Sequence, residues 1–299
     1  MTNLPTNPIR WPAEALWEAV APSLPGFTVE VLPEIDSTNT ELMRRFRGSP
    51  TVEPRPEPLL LVAEQQTAGR GRLGRQWQSR RGDSLMFSLG LPLAPVDWSG
   101  LSLVAGISVA ESLEPRLAGS GAKPRIGLKW PNDLWLSTPE GERKLAGILV
   151  ETASWEGLRY VVIGIGINIR AVPLDPGLNA ALPASALPGV PPGSLQDLLP
   201  ELDAPAALLR VIPPLVQAVQ AFAQFGFAPF QARFAARDVL AGRAVRLSDG
   251  TAGTAHGAGE NGALLVHTAA GMKEITSSEV SVRPLPDSAA PAPGGTRPC

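Results

Sequence analysis

The sequence predicts an α+β protein with a mixed, mostly antiparallel sheet covered by helices, followed by a small C-terminal β-barrel. Apolar runs of strand length, such as Leu59–Glu64 and Tyr160–Ile169, alternate with segments of helical spacing. Turn-rich stretches separate the strand candidates, which is typical of antiparallel neighbours. Beyond Leu240, short apolar segments alternate with the tight-turn dipeptides Asp249-Gly250 and Asn261-Gly262, and this pattern indicates the barrel.

The predicted elements of the larger, N-terminal part follow from the spacing of apolar residues. In chain order they are a helix over Trp11–Val20, strands over Phe27–Leu32, Leu59–Glu64 and Ser84–Leu91, a helix over Leu101–Leu117, and strands over Ile126–Leu136, Lys144–Thr152 and Tyr160–Ile169. Both helices repeat apolar residues at the 3.6-residue period. Leu59–Glu64 is apolar enough to lie inside a sheet rather than at its edge.

Prolines mark the next part of the chain. They recur from Ala171 to Pro205, which predicts a surface excursion without a long helix. A helix over Pro205–Phe225 follows, and Pro213-Pro214 is expected to kink or divide it. The barrel strands are expected near Ala244–Leu247, Ala263–Val266 and Glu279–Val282.

Composition excludes several function classes. The 299 residues carry a formal net charge of −2 with 18% charged residues, which argues against a general nucleic-acid surface. The longest apolar stretch, Val161–Ile169, is far shorter than a membrane span, and the N-terminus lacks a secretory pattern, so a cytoplasmic protein is expected. The single cysteine, Cys299, allows no internal disulfide and makes a catalytic thiol a poor candidate.

Residues 69–82, which we call the arginine loop, hold five arginines and no carboxylate. Gly69, Gly71 and Gly74 formally match a dinucleotide-binding turn, but Arg75–Gly82 lacks the apolar helix face that such a turn requires. Guanidinium groups between glycines instead favour a mobile loop that binds phosphate or carboxylate oxygens. A merely solvated loop is the competing interpretation, and the neighbouring Trp77 favours function because it offers a stacking face.

Other polar residues interrupt apolar segments. Ser37-Thr38-Asn39 could cap a helix or bind a polar heterocycle. Pro131-Asn132-Asp133 is a turn between two strands. Lys144 begins an apolar strand, and it is either a point charge at the rim of a pocket or an ordinary lysine at a sheet edge. Gly164 and Gly166 indicate a bulge or a close approach. His256 and His267 fall in the barrel candidate, so neither a histidine base nor a histidine metal site is expected.

Together these segments resemble the biotin protein ligase family, biotin–[acetyl-CoA carboxylase] ligase. The matching motifs are Asp36–Asn39, Gly69–Trp77 with Gly69-Arg70-Gly71-Arg72, Lys129–Leu134, Lys144–Glu151 and Gly164–Asn168, in the family's order. Each motif alone is modest, whereas the ordered set is specific. Gly262–Leu265 and Ser281–Arg283 look like the family's small C-terminal SH3-like barrel.

The resemblance implies a class II synthetase-like catalytic domain that binds biotin and ATP over residues 1–238. It also implies an SH3-like domain over 239–285, and we expect a disordered tail over 286–299. Some members of the family carry an N-terminal helix-turn-helix domain and act as repressors. Too few residues precede Asp36 for such a module, so direct DNA binding is not expected. A homodimer is a family expectation only, and no contact with a membrane is expected.

The implied reaction has two steps. Biotin and ATP give biotinyl-5'-AMP and pyrophosphate, and a lysine of a biotin carboxyl carrier protein then takes the biotinyl group. Carried over position by position, the biotin contacts are Ser37, Thr38, Asn39, Gln66, Arg70, Gly71, Arg72, Lys144 and Gly147, the ATP contacts are Arg72, Arg75, Trp77, Asn132, Asp133 and Asn168, and the catalytic residues are Arg70, Lys144 and Asp133. Mg²⁺ is expected through the ATP phosphates, with no protein ligand assigned.

Two rival functions stay open at this point. A lipoate ligase or octanoyl transferase shares the fold, but its flexible aliphatic substrate needs a less polar pocket than Ser37-Thr38-Asn39 and Gln66 offer. A biotin-responsive regulatory binding protein is the second rival, and the missing DNA-binding domain counts against it.

Overall fold

The computed structural model describes residues 8–47, 57–115, 123–171, 190–276 and 282–285, except for the side chain of Trp155. The predicted tail over 286–299 and most of the proline-rich excursion lie outside these residues. The described residues form two β-sheets and five α-helices.

A seven-stranded sheet forms the centre of the larger part. Its strands are β1 (Thr28–Leu32), β2 (Leu59–Ala63), β3 (Ser84–Pro92), β4 (Ile126–Lys129), β5 (Asp133–Thr138), β6 (Gly141–Trp155) and β7 (Leu158–Asn168). They lie in the order β1-β2-β3-β7-β6-β5-β4, with β1 and β2 parallel and every other pair antiparallel. This confirms the mixed, mostly antiparallel sheet. The run from Ile126 to Leu136 forms the β4–β5 hairpin, whose turn lies at Trp130–Asn132.

Helices cover both faces of this sheet. They are α1 (Ala13–Val20), α2 (Thr38–Arg47), α3 (Leu101–Leu113), α4 (Ala204–Phe225) and α5 (Gln231–Ala235). Successive strand side chains point to opposite faces. Leu60 and Val62 accordingly join the core beneath α3 and α4, whereas Leu61 packs with Phe46 of α2 on the other face.

Helix α4 is a single helix that includes Pro213 and Pro214, so the alternative of a divided helix was wrong. The physical reason is packing, because Ile212 and Leu215 on either side of the prolines are fully buried against the core. By length and hydropathy alone this helix also meets the criteria for a membrane span, and half of the qualifying window is buried within the fold.

The C-terminal part is a five-stranded antiparallel sheet. Its strands are β8 (Ala244–Leu247), β9 (Ala252–Ala258), β10 (Leu264–Thr268), β11 (Gly271–Ile275) and β12 (Val282–Pro284), in the order β11-β10-β9-β8-β12. The two predicted tight turns are confirmed, since Gly250 and Gly262 have φ of +87° and +78° between consecutive strands. The strand expected over Glu279–Val282 is described only from Val282.

Main-chain and side-chain contacts join the two sheets. Leu128 of β4 donates from its N–H to the Arg237 carbonyl at 2.7 Å and accepts from the Val239 N–H at 3.0 Å. The buried Trp130 indole donates to the Gly262 carbonyl at 3.0 Å. The β4–β5 hairpin is therefore held from the C-terminal side.

Candidate functional site

The candidate site lies on the sheet face that carries α2. Ser88 of β3 pairs with Gly164 of β7, and two residues further along the same face Gly166 pairs with Gly147 of β6. Three glycines on one face leave the sheet without side chains there. The result is a floor onto which other groups can approach the backbone closely.

A buried hydrogen-bond network lies at one end of this floor, where α2 begins. The backbone N–H and the hydroxyl of Thr38 both donate to Gln66 Oε1, at 2.8 and 3.1 Å. The Ser88 hydroxyl lies 2.8 Å from Thr38 Oγ1 and donates to Asn39 Oδ1 at 2.6 Å. Ser37 is the residue before α2, and its hydroxyl accepts from the Thr40 N–H at 3.4 Å. Ser37 therefore has the capping contact, while Thr38 and Asn39 belong to the network.

Asn39 extends the network across the sheet. Its amide donates to the Leu149 carbonyl at 3.2 Å and to Glu151 Oε2 at 3.0 Å. A Cβ at Gly164 would lie 2.0 Å from Asn39 Oδ1, so only glycine fits beneath this side chain. The pairing of β7 with both neighbours runs without a shift past Gly164 and Gly166. The glycines are therefore explained by close approach and not by a bulge.

The arginine loop folds back onto the same floor. The Gly71 N–H donates to the Arg75 carbonyl at 2.7 Å, and the Trp77 N–H donates to the Gly69 carbonyl at 2.9 Å. Between them Leu73 adopts a left-handed φ of +55°, and the residue is 57% exposed. The hydrogen bonds close a tight, hairpin-like turn at the loop tip.

Trp77 anchors this loop to the floor. A Cβ at Gly166 would lie 2.5 Å from its ring, and one at Gly147 would lie 3.2 Å away. The indole Nε1 is buried and has no hydrogen-bond partner in the described part of the chain. The ring also faces Lys144, whose Nζ lies 5.8 Å from its centroid.

A cluster of cations adjoins the Trp77 ring. Lys144 Nζ lies 2.7 Å from Asp133 Oδ1. Burial lowers the pKa of Lys129 to about 8, against the attraction of Asp133 and with added repulsion from Lys144 and the loop arginines. Burial also lowers the pKa of Arg72, again opposed by Asp133. Several partly desolvated cations thus lie around the Asp133 carboxylate, and such a cluster favours an added anion.

Two amide side chains hold the backbone around this cluster. Asn132 Nδ2 donates to the Ile148 carbonyl at 2.8 Å, and Asn168 Nδ2 donates to the Lys144 carbonyl at 3.2 Å. The Lys144 N–H also donates to the Pro191 carbonyl at 2.7 Å. The end of the proline-rich stretch therefore packs beside the cluster.

Arg70 links the cationic and polar parts of the site. Its side chain is half exposed, and Nη1 lies 3.3 Å from Glu151 Oε1 and 3.5 Å from Thr40 Oγ1. Arg81, at the far end of the arginine loop, instead contacts the buried Glu64 at 2.6 Å. Of these two arginines, Arg70 is therefore directed at the site and Arg81 is not.

The structure brings most of the sequence-predicted residues together on this sheet face and in the arginine loop, whereas Asn132 lies in the β4–β5 turn and contacts the Ile148 carbonyl. Sequence reasoning missed Ser88 and Glu151, and it noted Lys129 without assigning it to the site. Ser88 gave a signal as a hydroxyl in the middle of the mostly apolar strand β3, and Glu151 as a carboxylate that ends an apolar run. His256 and His267 lie in the C-terminal sheet, on β9 and β10.

The fold and the site define a protein whose mostly antiparallel sheet carries a polar hydrogen-bond network beside a cationic cluster, an arrangement suited to an anionic small molecule. Comparisons with known proteins agree with this class. Residues 31–168 match the biotin/lipoate A/B protein ligase family. The bifunctional ligase/repressor BirA of Escherichia coli is 35% identical over 268 residues, which are 87% of this chain and 75% of that protein.

Two further relatives extend the similarity. The biotin–[acetyl-CoA-carboxylase] ligase of Paracoccus denitrificans is 32% identical over 84% of this chain and 98% of its own length. Among solved structures, biotin protein ligase from Aquifex aeolicus in complex with biotin and ATP superposes with a TM-score of 0.66 at 29% identity, covering 86% of this chain and 99% of that one. The chain belongs to the biotin/lipoate A/B protein ligase family.

Proposed function

We propose that this chain is a biotin–[acetyl-CoA carboxylase] ligase, which activates biotin with ATP and transfers it to a lysine of a biotin carboxyl carrier protein. The observation that carries the proposal is the polar network at Thr38 and Asn39 lying beside the cationic cluster at Lys144 on one sheet face. A polar bicyclic head group suits the first, and a carboxylate next to a phosphate suits the second. Similarity to ligases whose names and complexes include biotin and ATP supports the same function.

The first step needs charge neutralisation more than proton transfer. The carboxylate of biotin is ionised at neutral pH and can attack the α-phosphate of ATP without a general base. Two anions must meet while negative charge builds on the phosphate. Arg70, Arg72 and Lys144 would supply fixed positive charge there, and removing one such donor typically slows a reaction about 10²- to 10³-fold. The partly desolvated Lys129 adds a fourth cation that the sequence did not assign.

We assign the substrate contacts as proposals. Ser37, Thr38, Asn39, Gln66 and Gly147 would face biotin, with Arg70, Gly71, Arg72 and Lys144 around its carboxylate, and Arg72, Arg75, Trp77, Asn132, Asp133 and Asn168 would face ATP. The support is that most of them lie on the α2 face of the sheet or in the arginine loop, with Asn132 in the adjoining β4–β5 turn. Residues 1–238 would hold this site, and 239–285 would brace it through Trp130 and Gly262.

Mg²⁺ would enter with the ATP phosphates. No group of three or more His, Cys, Asp or Glu side chains able to hold a metal occurs among the described residues. Mg²⁺ in nucleotide sites commonly uses only one or two carboxylates in addition to phosphate oxygens. Asp133 is the carboxylate of the site that would supply such a ligand, in exchange for part of its contact with Lys144. The ion would supply further neutralisation of the phosphate charge.

The second step differs because the acceptor lysine must lose a proton before it attacks the adenylate. Asp133 is our candidate for the base or orienting carboxylate. The arginine loop would cover the mixed anhydride and exclude water from it. The expected partner is a biotin carboxyl carrier protein, and we propose a cytoplasmic enzyme, with a homodimer as a further possibility to test.

Pyrophosphate exchange into ATP tests this function. We expect exchange that depends on biotin, and subsequent transfer of biotin to the lysine of a purified carrier domain. Lipoate and octanoate serve as matched carboxylic acids in parallel reactions. Exchange with lipoate but not with biotin would contradict the proposal, and binding of biotin without any exchange would favour a regulatory protein.

A further inference from the structure

Glu151 contacts both parts of the site, yet the proposed reaction gives it no role. It lies on β6 two residues after Leu149, on the face that carries α2. Its side chain is mostly buried, at 21% exposed. Oε2 accepts from the Asn39 amide at 3.0 Å, and Oε1 lies 3.3 Å from Nη1 of Arg70. The two oxygens of one carboxylate therefore join the polar network to the arginine loop.

The inner oxygen is held by a buried and fully engaged partner. Asn39 is only 3% exposed, donates to both Glu151 and the Leu149 carbonyl, and accepts from Ser88. The absence of a side chain at Gly164 lets Asn39 lie this close to the sheet. Because these bonds fix the amide, they also fix the direction of the carboxylate. The outer oxygen is consequently presented to Arg70 in one orientation.

This outer oxygen is chemically equivalent to the group that we expect Arg70 to bind. Glu151 and biotin each present a carboxylate, and a bidentate contact of Arg70 with biotin would use the Nη1 donor that now faces Glu151. The pair is also partly exposed, with half of the Arg70 side chain accessible, so it is weak enough to be exchanged. An internal carboxylate in this position thus competes with a carboxylate ligand for the same guanidinium.

We propose that Glu151 is a positioning residue that tethers Arg70 as an internal counter-ion and yields it to the substrate's carboxylate. The tether holds the first part of the arginine loop against the sheet and lowers the affinity of the site for anions. This inference rests on the proposed function in one respect, since it takes biotin as the carboxylate that displaces Glu151. The tether itself concerns residues of this chain alone.

A Glu151→Gln variant isolates the charge, because glutamine keeps an oxygen that can accept from Asn39. We expect the Kd for biotin, measured calorimetrically without ATP, to fall about two- to fivefold, the range that a partly exposed ion pair allows. The Kd for the uncharged biotin methyl ester should not change. In an Arg70→Gln background the same Glu151→Gln substitution should have no effect on biotin. Glu142→Gln is the matched control, since Glu142 lies on the same strand and contacts Arg243 instead.

A second measurement reports the tether without any ligand. Trypsin should cut the arginine loop faster in Glu151→Gln than in the unmodified protein or in Glu142→Gln. Faster cleavage in a protein that binds no biotin would support the tether and reject the proposed function. Unchanged cleavage together with an unchanged Kd for biotin would overturn the tether while leaving the function intact. An equal loss of affinity for biotin and its ester would overturn it as well, because that pattern indicates damage to the pocket.

Discussion

At the scale of single residues, the main feature of the site is a set of cations that folding partly removes from water. Lys129 is 8% exposed. Among the groups that shift its pKa, the carboxylate of Asp133 is the one that stabilises its positive charge. Burial of a cation without full compensation costs stability and increases the attraction for a ligand anion. We therefore expect Lys129 to weaken the folded state and to strengthen the binding of an anion.

Arg70 should not tolerate exchange for lysine, although the charge is kept. A single ammonium group cannot reproduce the two parallel hydrogen bonds of a guanidinium to a carboxylate or phosphate. We expect Arg70→Lys to slow biotin-dependent pyrophosphate exchange about 10- to 100-fold. Complete loss of such a donor typically slows a reaction more, by about 10²- to 10³-fold. Arg80→Lys in the exposed end of the loop is the control. Equal exchange rates in both variants would contradict the role of Arg70.

Lys129 should make stability depend on alkaline pH. Its pKa is about 8 when folded and near 10.5 otherwise, so the unfolded chain binds more protons between these values. The free energy of unfolding then rises with pH from about 8 to about 10.5, by at most about 3 kcal/mol from this group. Lys129→Met should remove this rise and stabilise the protein at pH 7. Urea unfolding at pH 7, 8.5 and 10 measures the free energy of unfolding of both proteins. The same dependence on pH in both would show that Lys129 is not the group that titrates.

Sequence reasoning at this scale found residues whose chemistry is rare in their local setting. Arginines between glycines and a lysine heading an apolar strand stand out in a linear sequence. Ser88 and Glu151 did not, because their roles depend on Asn39 and Arg70, which approach them from distant parts of the chain. Contacts between residues that are distant in the sequence cannot be deduced from local patterns.

At the scale of elements, the glycines of β6 and β7 determine what can approach the sheet. Their interpretation as a bulge or a close approach could not be decided from sequence, because both remove a side chain from a strand. Strand β7 pairs with β3 without a register shift, which excludes a bulge and leaves close approach as the reason for its glycines. In helix α4 the prolines Pro213 and Pro214 predicted a kink or a division, and the division does not occur because the residues around them are buried in the core.

Gly164→Ala should destabilise the protein through Asn39. The added Cβ would lie 2.0 Å from Oδ1 and 2.7 Å from Cγ of that buried side chain, so the network must shift. Overpacking of this kind costs about 1–3 kcal/mol, and chemical denaturation measures it. The double variant Asn39→Ala with Gly164→Ala should show no additional cost from the second substitution. An additive loss in the double variant would exclude the steric explanation.

At the scale of the whole molecule, the junction between the two sheets contains a buried carboxylate. Asp238 accepts from the Leu240 N–H with Oδ1, whereas its buried Oδ2 has no hydrogen-bond partner in the described part of the chain. Burial raises the pKa of this carboxyl to about 6. The sequence indicated the two parts and their order, but this junction depends on residues more than a hundred positions apart, such as Trp130 and Gly262.

Asp238 should make stability depend on acidic pH. Its pKa is raised on folding, so its contribution is fully present below the unfolded value near 3.8 and is lost as pH rises through about 6. The loss is about 3 kcal/mol at most. We therefore expect the difference in stability between Asp238→Asn and the unmodified protein to shift in favour of the variant from pH 4 to pH 7. Thermal unfolding at both values tests this, and a constant difference between the proteins would exclude titration of Asp238.

The pairing of Leu128 with residues 237–239 has a further consequence for solubility. Strand β4 is the last strand of the seven-stranded sheet, and an unpaired sheet edge is a template for adding another chain. The segment that leads into the C-terminal sheet covers the Leu128 main chain with two hydrogen bonds. A truncation before Arg237 would uncover these groups, so the shortened protein is expected to self-associate through β4 even where its own core still folds.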